Sequence, residues 1–171
     1  MINLKSKKYS NINYEKGKEV WYDKGQVELP FFLYIDSVVT EDLSKVELAK
    51  DFIDNVDKYI EQAIDFLKDI VHSENDEYYY LLKHFLDFHL DEEVFDSADI
   101  TEMFGTYEYE ELDLSEAIDQ LTVKQVSSHY DDTLNQQLFL IDFSFNSDFT
   151  DEILAVYFNS DINIINLAHE N

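Results

Sequence analysis

Apolar residues recur at three- and four-residue spacing through residues 49–71, as Ala49, Phe52, Ile53, Val56, Tyr59, Ile60, Ala63, Ile64, Phe66, Leu67, Ile70 and Val71. That spacing puts them on one face and predicts a long amphipathic helix. Thr40 can cap it, with Glu41 and Asp42 in its first turn, and Ser44 with Glu47 offers a second capping box. A second helix is predicted over about 76–90, with Tyr78, Leu81, Leu82, Phe85, Leu86 and His89 on its inner face. The next thirty residues are acidic yet patterned. Asp99 with Glu102 and Asp113 with Glu116 have capping-box spacing, and Met103-Phe104-Gly105 reads as a helix end with glycine just beyond it.

From Thr122 the period changes to that of strands. "TVKQVSSHY", "QQLFLIDFSF", "DEILAVYF" and "INIINLAH" follow one another across short turn-forming links, which predicts an antiparallel meander. Near the other end, "EVWYDKGQVELPFFLYI" breaks at Asp23-Lys24-Gly25 and reads as a hairpin, with Pro30 marking an edge or a bulge. Strands at both ends and helices between them give an α+β fold: a mostly antiparallel sheet, made of an N-terminal hairpin and a four-strand meander, with a helical layer inserted between. One domain is expected over 1–171, with 1–17 as a loosely ordered basic arm.

Charge changes the picture most. The chain of 171 residues has 12 Lys, no Arg and 38 Asp plus Glu, for a net charge of −26. Residues 1–24 hold six of the lysines, whereas residues 84–123 hold thirteen acids and no Lys or Arg. Such a field repels nucleic acid and anionic membranes and speeds encounter with basic proteins. Without arginine, the usual bidentate reader of phosphates and bases is also missing. The 25 Phe and Tyr residues still supply a substantial core, so the acidity does not imply disorder. There is no cysteine, which removes disulfides and thiolate chemistry. No signal-peptide pattern or spanning apolar run is visible, so the expected location is the cytosol.

Catalytic motifs are not evident. Three glycines at 17, 25 and 105 cannot form a phosphate loop. Ser127 and His129 share a strand face, but no oxyanion-hole signature accompanies them. His84 with Asp87, and His89 with Glu92 or Glu93, have helical spacing that could make half a metal site. The competing reading has His89 packed and His84 solvated. No cofactor and no metal is expected. At the C-terminal end, His169 and Glu170 raise the question of an acid–base pair with Asp151 and Glu152 nearby, but adjacent strand residues point to opposite faces.

That closing stretch carries a resemblance. Thr150-Asp151-Glu152, then Ile153–Phe158, then Ala168-His169-Glu170 resemble the C-terminal signature of the small acidic bacterial proteins of the domain of unknown function 2004 family. Asn159-Ser160-Asp161 departs from the Asp- and Gly-containing turn usual there, and Asn171 stands where Ser is common. The resemblance covers about 25 residues and implies an α+β fold and a bacterial origin, with no reaction attached.

The function expected is that of a binding protein without enzymatic activity. In its sharpest form this is a bacterial immunity protein that neutralises a cognate basic toxin domain, nuclease-type, as in contact-dependent inhibition. The expected surface comprises Asp91, Glu92, Glu93, Asp96, Asp99, Glu102, Tyr107, Glu108, Tyr109, Glu110, Glu111 and Asp113, with the tyrosines as anchors and the acids steering. Two alternatives stay open: a DNA mimic that inhibits DNA-handling proteins, and a carboxylate- or metal-dependent enzyme.

Overall fold

The computed structural model describes residues 1–106, 112–145 and 148–171. Its strands and helices follow the expected α+β order. The N-terminal segment forms a two-stranded antiparallel sheet from β1 (Ile2–Asn3) and β2 (Asn13–Tyr14). A six-stranded, mostly antiparallel sheet then has the order β3 (Val20–Tyr22), β4 (Phe32–Ile35), β5 (Thr122–Asp131), β6 (Gln136–Ser144), β7 (Ile153–Phe158), β8 (Ile164–Glu170). Within it β4 pairs with β5 in parallel, in register Phe32↔Gln125 to Ile35↔Ser128. A parallel neighbour needs a long crossover. The helices supply it: α1 (Ser37–Glu41), α2 (Leu43–Asp54), α3 (Val56–Val71), α4 (Tyr79–His89), α5 (Ser97–Phe104) and α6 (Leu114–Asp119).

Three expectations need correction. The N-terminal arm is not loose. Leu4, Tyr9, Ile12 and Tyr14 are buried, and the Asp54 carboxylate accepts from the Ser6 hydroxyl at 2.6 Å and from the Lys7 amide at 2.8 Å. The β3–β4 connection is also longer than a tight turn at 23–25. It contains a short 3-10 turn at Gln26–Glu28, with Val27 and Glu28 at positive φ, and Pro30 lies in this connection before β4. The predicted long helix is broken at Asn55, which leaves helical geometry while its side-chain amide donates to the Asp51 carbonyl. Its expected caps shift accordingly. Asp36 and Asp42, not Thr40 and Ser44, accept the first free amides of α1 and α2. Thr40 is buried inside α1 and donates to the Lys18 carbonyl.

The chain divides into two compact units. Unit 1 comprises residues 1–60, 123–142 and 156–166. At its centre, Phe52 of α2 stacks on Phe139 of β6 at 4.4 Å between ring centres and meets Phe158 of β7 edge-on. Unit 2 comprises residues 61–122, 143–155 and 167–171. Its centre is Phe85 of α4, fully buried and within 5.6 Å of Phe145, with Leu82, Leu86, Ile100 and Met103 also buried. Each core is therefore an aromatic-rich contact between a helix and the β-rich part of the chain, built on side chains that bury large apolar areas.

Candidate functional site

The acidic segment folds because its carboxylates do local work. Asp91 accepts from the Glu93 amide at 2.8 Å and closes the turn after α4. Asp96 accepts from the amides of Ala98 and Asp99 and caps α5, so the cap lies three residues before the expected Asp99. Gly105 ends that helix at φ 75, as its position after Phe104 predicts. Asp113 caps α6 by accepting from the Ser115 amide. A carboxylate at a helix start also faces the positive end of the helix dipole, which lowers the cost of concentrating charge there.

These caps leave the remaining acids turned to solvent. Glu92, Glu93 and Glu102 are exposed, while Asp99 is half-buried. Tyr107, Glu108, Tyr109, Glu110 and Glu111 lie outside the described residues. Two clefts open along this part of unit 2. One, of ≈ 460 Å³, is lined by Phe104, Gly105, Leu112, Asp113, Glu116 and Asp119. The other, of ≈ 380 Å³, has Phe88, Val94, Phe95 and Phe149 on its walls and Asp99, Asp148, Asp151 and Glu152 around them. The structure thus brings Asp99 together with acids of the 148–152 segment, which the sequence pattern assigns to a turn-forming link and the start of a strand.

The two units differ sharply in charge. Unit 1 holds 10 Lys against 15 Asp plus Glu, net −5; unit 2 holds 2 Lys against 23, net −21. Both lysines of unit 2 are engaged, Lys68 with Asp119 at 2.6 Å and Lys83 with Asp87 at 2.6 Å. The Asp87 that helical spacing offered as a partner for His84 is therefore the partner of a lysine.

The histidines settle into two environments. His84 is exposed and His89 is fully buried. His89 Nδ1 lies 2.7 Å from the Phe85 carbonyl, its ring is packed among Phe85, Phe88, Phe95 and Phe145, and its Nε2 has no hydrogen-bond partner among the described residues. Burial pushes its pKa below the usual 6.5; the bond to the Phe85 carbonyl and the charge of Glu152 oppose that, and His169 reinforces it. His169 turns toward α4, with its ring 5.2 Å from Phe85 and 5.6 Å from His84, and its Nε2 pairs with the Glu152 carboxylate. The carboxylate partner of His169 is thus Glu152 rather than Glu170. The signal for this was the hairpin itself, since Glu152 immediately precedes β7 and His169 lies near the end of β8, and the return of the chain brings them together.

No family model, curated protein or solved structure matches this chain.

Two further groups bear on chemistry. In unit 1, His129 Nε2 lies 2.9 Å from the Ser127 hydroxyl, the pairing that their shared strand face predicts, but Ser127 is buried at 2 % exposure and cannot meet a substrate in this state. Beside them Trp21, 60 % exposed, packs on Tyr34 at 4.5 Å. Burial, helped by the adjacent Glu19 carboxylate, pushes the Tyr34 phenol up to about 12, so it stays a neutral donor to Glu19. Among the described residues no group of three or more His, Asp or Glu has the arrangement of a metal site, and no helix is long and apolar enough to cross a membrane.

Proposed function

We propose that the protein is a cytosolic binding protein that neutralises a basic protein partner through unit 2, in its sharpest form an immunity protein for a cognate toxin domain of nuclease type. The observation that carries this reading is the charge contrast. A net charge of −21 on unit 2, with both of its lysines already paired, exceeds what solubility asks of a small domain, about 2–8 in magnitude. A single-signed field of this kind raises association rates with an oppositely charged partner by about 10–1,000-fold and loses that gain in salt. A nuclease toxin has a phosphate-binding, basic active site, so an acidic cover can block it without any chemistry of its own. The resemblance of the closing hairpin to the domain of unknown function 2004 proteins is compatible with this reading and adds no activity to it.

Co-expression with a toxin domain encoded beside the gene tests the reading. Glu92→Lys, Glu93→Lys and Glu102→Lys together should abolish protection and slow association at least about tenfold at low salt. The matched triple in unit 1, Glu28→Lys, Asp132→Lys and Asp161→Lys, should protect nearly as well as the native chain. Equal protection by both triples would defeat the assignment to unit 2. A DNA mimic would instead bind several unrelated DNA-handling proteins with similar affinity.

A further inference from the structure

The ≈ 380 Å³ cleft of unit 2 differs from the open acidic surface around it. Its size falls within the range of small-ligand sites, about 300–1,000 Å³. Three of its wall residues, Phe88, Phe95 and Phe149, are aromatic. Val94 at the same cleft is 48 % exposed and extends its apolar wall to the surface. Glu152 is occupied by His169. Asp99 and Asp151 line the cleft with no cationic partner among the described residues.

We propose that this cleft receives an arginine side chain of the basic partner. The inference rests on the reading of unit 2 as a surface for a basic protein and goes further by naming the group that enters. An apolar ligand would bury these carboxylates without replacing their water, which is costly. An anion would be repelled. An ammonium would satisfy the charge but is strongly hydrated and makes poor use of aromatic walls. A guanidinium is planar, weakly hydrated and always charged; it packs its face on aromatic rings while its edge donates to carboxylates. The chain has no arginine of its own to fill the cleft. Electrostatic steering would bring the partner to unit 2, and the cleft would fix its register.

The test is titration of the isotope-labelled full chain, followed by amide chemical shifts, with three capped tripeptides, Gly-Arg-Gly, Gly-Lys-Gly and Gly-citrulline-Gly. Citrulline keeps the shape of arginine and removes its charge. The arginine peptide should give saturable shifts centred on Phe88, Val94, Asp99 and Asp151, the lysine peptide should bind at least severalfold more weakly, and the citrulline peptide should not bind. Asp99→Asn with Asp151→Asn should weaken the arginine peptide at least tenfold, and Val94→Lys, at an exposed position, should do the same. Equal binding of citrulline and arginine, or shifts spread without saturation over all the acidic helices, would overturn the proposal. Polylysine separates the two layers of inference. If polylysine shifts unit 2 in a salt-dependent way while the arginine peptide ignores the cleft, the cleft assignment fails and the charge reading stands. If polylysine shifts unit 1 equally, both fail.

Discussion

The two units solve the same packing problem with surfaces of very different charge, net −5 against −21. Each is centred on a helix phenylalanine packed against an aromatic ring from the β-rich part of the chain, Phe52 with Phe139 in unit 1 and Phe85 with Phe145 in unit 2. Unit 1 pairs several of its acids: Asp57 meets Lys8, Glu47 meets Lys50, and Glu15 meets Lys18. Unit 2 has 23 acids and two lysines, and it spends its carboxylates on helix starts and on solvent. Exposed ion pairs add little to stability, so the pairing in unit 1 is not what holds it together. Conversely, a net charge of −21 costs self-repulsion that a fold would not accumulate for stability. The core secures the fold in both units, and the surface charge of unit 2 is not needed for it, which is what the proposed binding role requires.

The largest expected effects come from the cores. Phe52→Ala and Phe85→Ala should each cost about 3–5 kcal/mol, the usual loss for deleting a buried phenylalanine. Urea unfolding monitored by amide exchange in each unit would sharpen the comparison. If the two units share one cooperative transition, either substitution lowers protection in both. If they unfold separately, Phe85→Ala exposes the amides of unit 2 and leaves those of unit 1 protected.

A pH effect of intermediate size should belong to unit 2 alone. His89 has a folded pKa below the usual 6.5 because burial disfavours its charged form. Between the two values the unfolded chain binds the proton and the folded chain does not, so stability rises with pH across that window. The contribution is complete above about pH 6.5 and is lost as pH falls toward the folded value. His84 on the same helix, and His169 with its Glu152 partner, are the charged and titratable groups that face this end of α4. Urea midpoints measured from about pH 7.5 downward should therefore fall, and His89→Phe should flatten the decline. An unchanged slope in that variant would defeat the assignment to His89.

How much of this was legible beforehand follows from the range of the forces involved. The α+β order, the four-strand meander, the Gly105 helix end and the Asp113 cap were readable, because period and turn chemistry act within a few residues. The break at Asn55 was not, since the apolar stripe passes through it without interruption and a single asparagine decides the matter by bonding back to Asp51. The anchoring of the arm was hidden for a different reason: Ser6 and Lys7 reach Asp54 across nearly fifty residues, and no local pattern announces that contact. The candidate site divides the same way. Its acids on α5 were found as a charge run, but the cleft exists because Phe149, Asp151 and Glu152 fold beside Phe88 and Phe95, a meeting of distant segments.

The smallest effect is the most direct probe of the contrast between the units. Asp36 caps α1 in unit 1 and Asp96 caps α5 in unit 2, each by accepting backbone amides. Removing the Asp96 cap with alanine should cost about 0.5–2 kcal/mol. Asparagine caps about as well as aspartate, so Asp→Asn isolates the charge from the hydrogen bond. In unit 1 the substitution at Asp36 gives up a favourable charge at the helix dipole and gains little in return. In unit 2 the same loss at Asp96 is offset by relief of repulsion within a field of −21. Asp96→Asn should therefore be neutral or slightly stabilising at low salt, where Asp36→Asn is slightly destabilising, and the gap should close as salt is raised. A gap that persists at high salt would mean that local hydrogen bonding, and not the field of the unit, distinguishes the two caps.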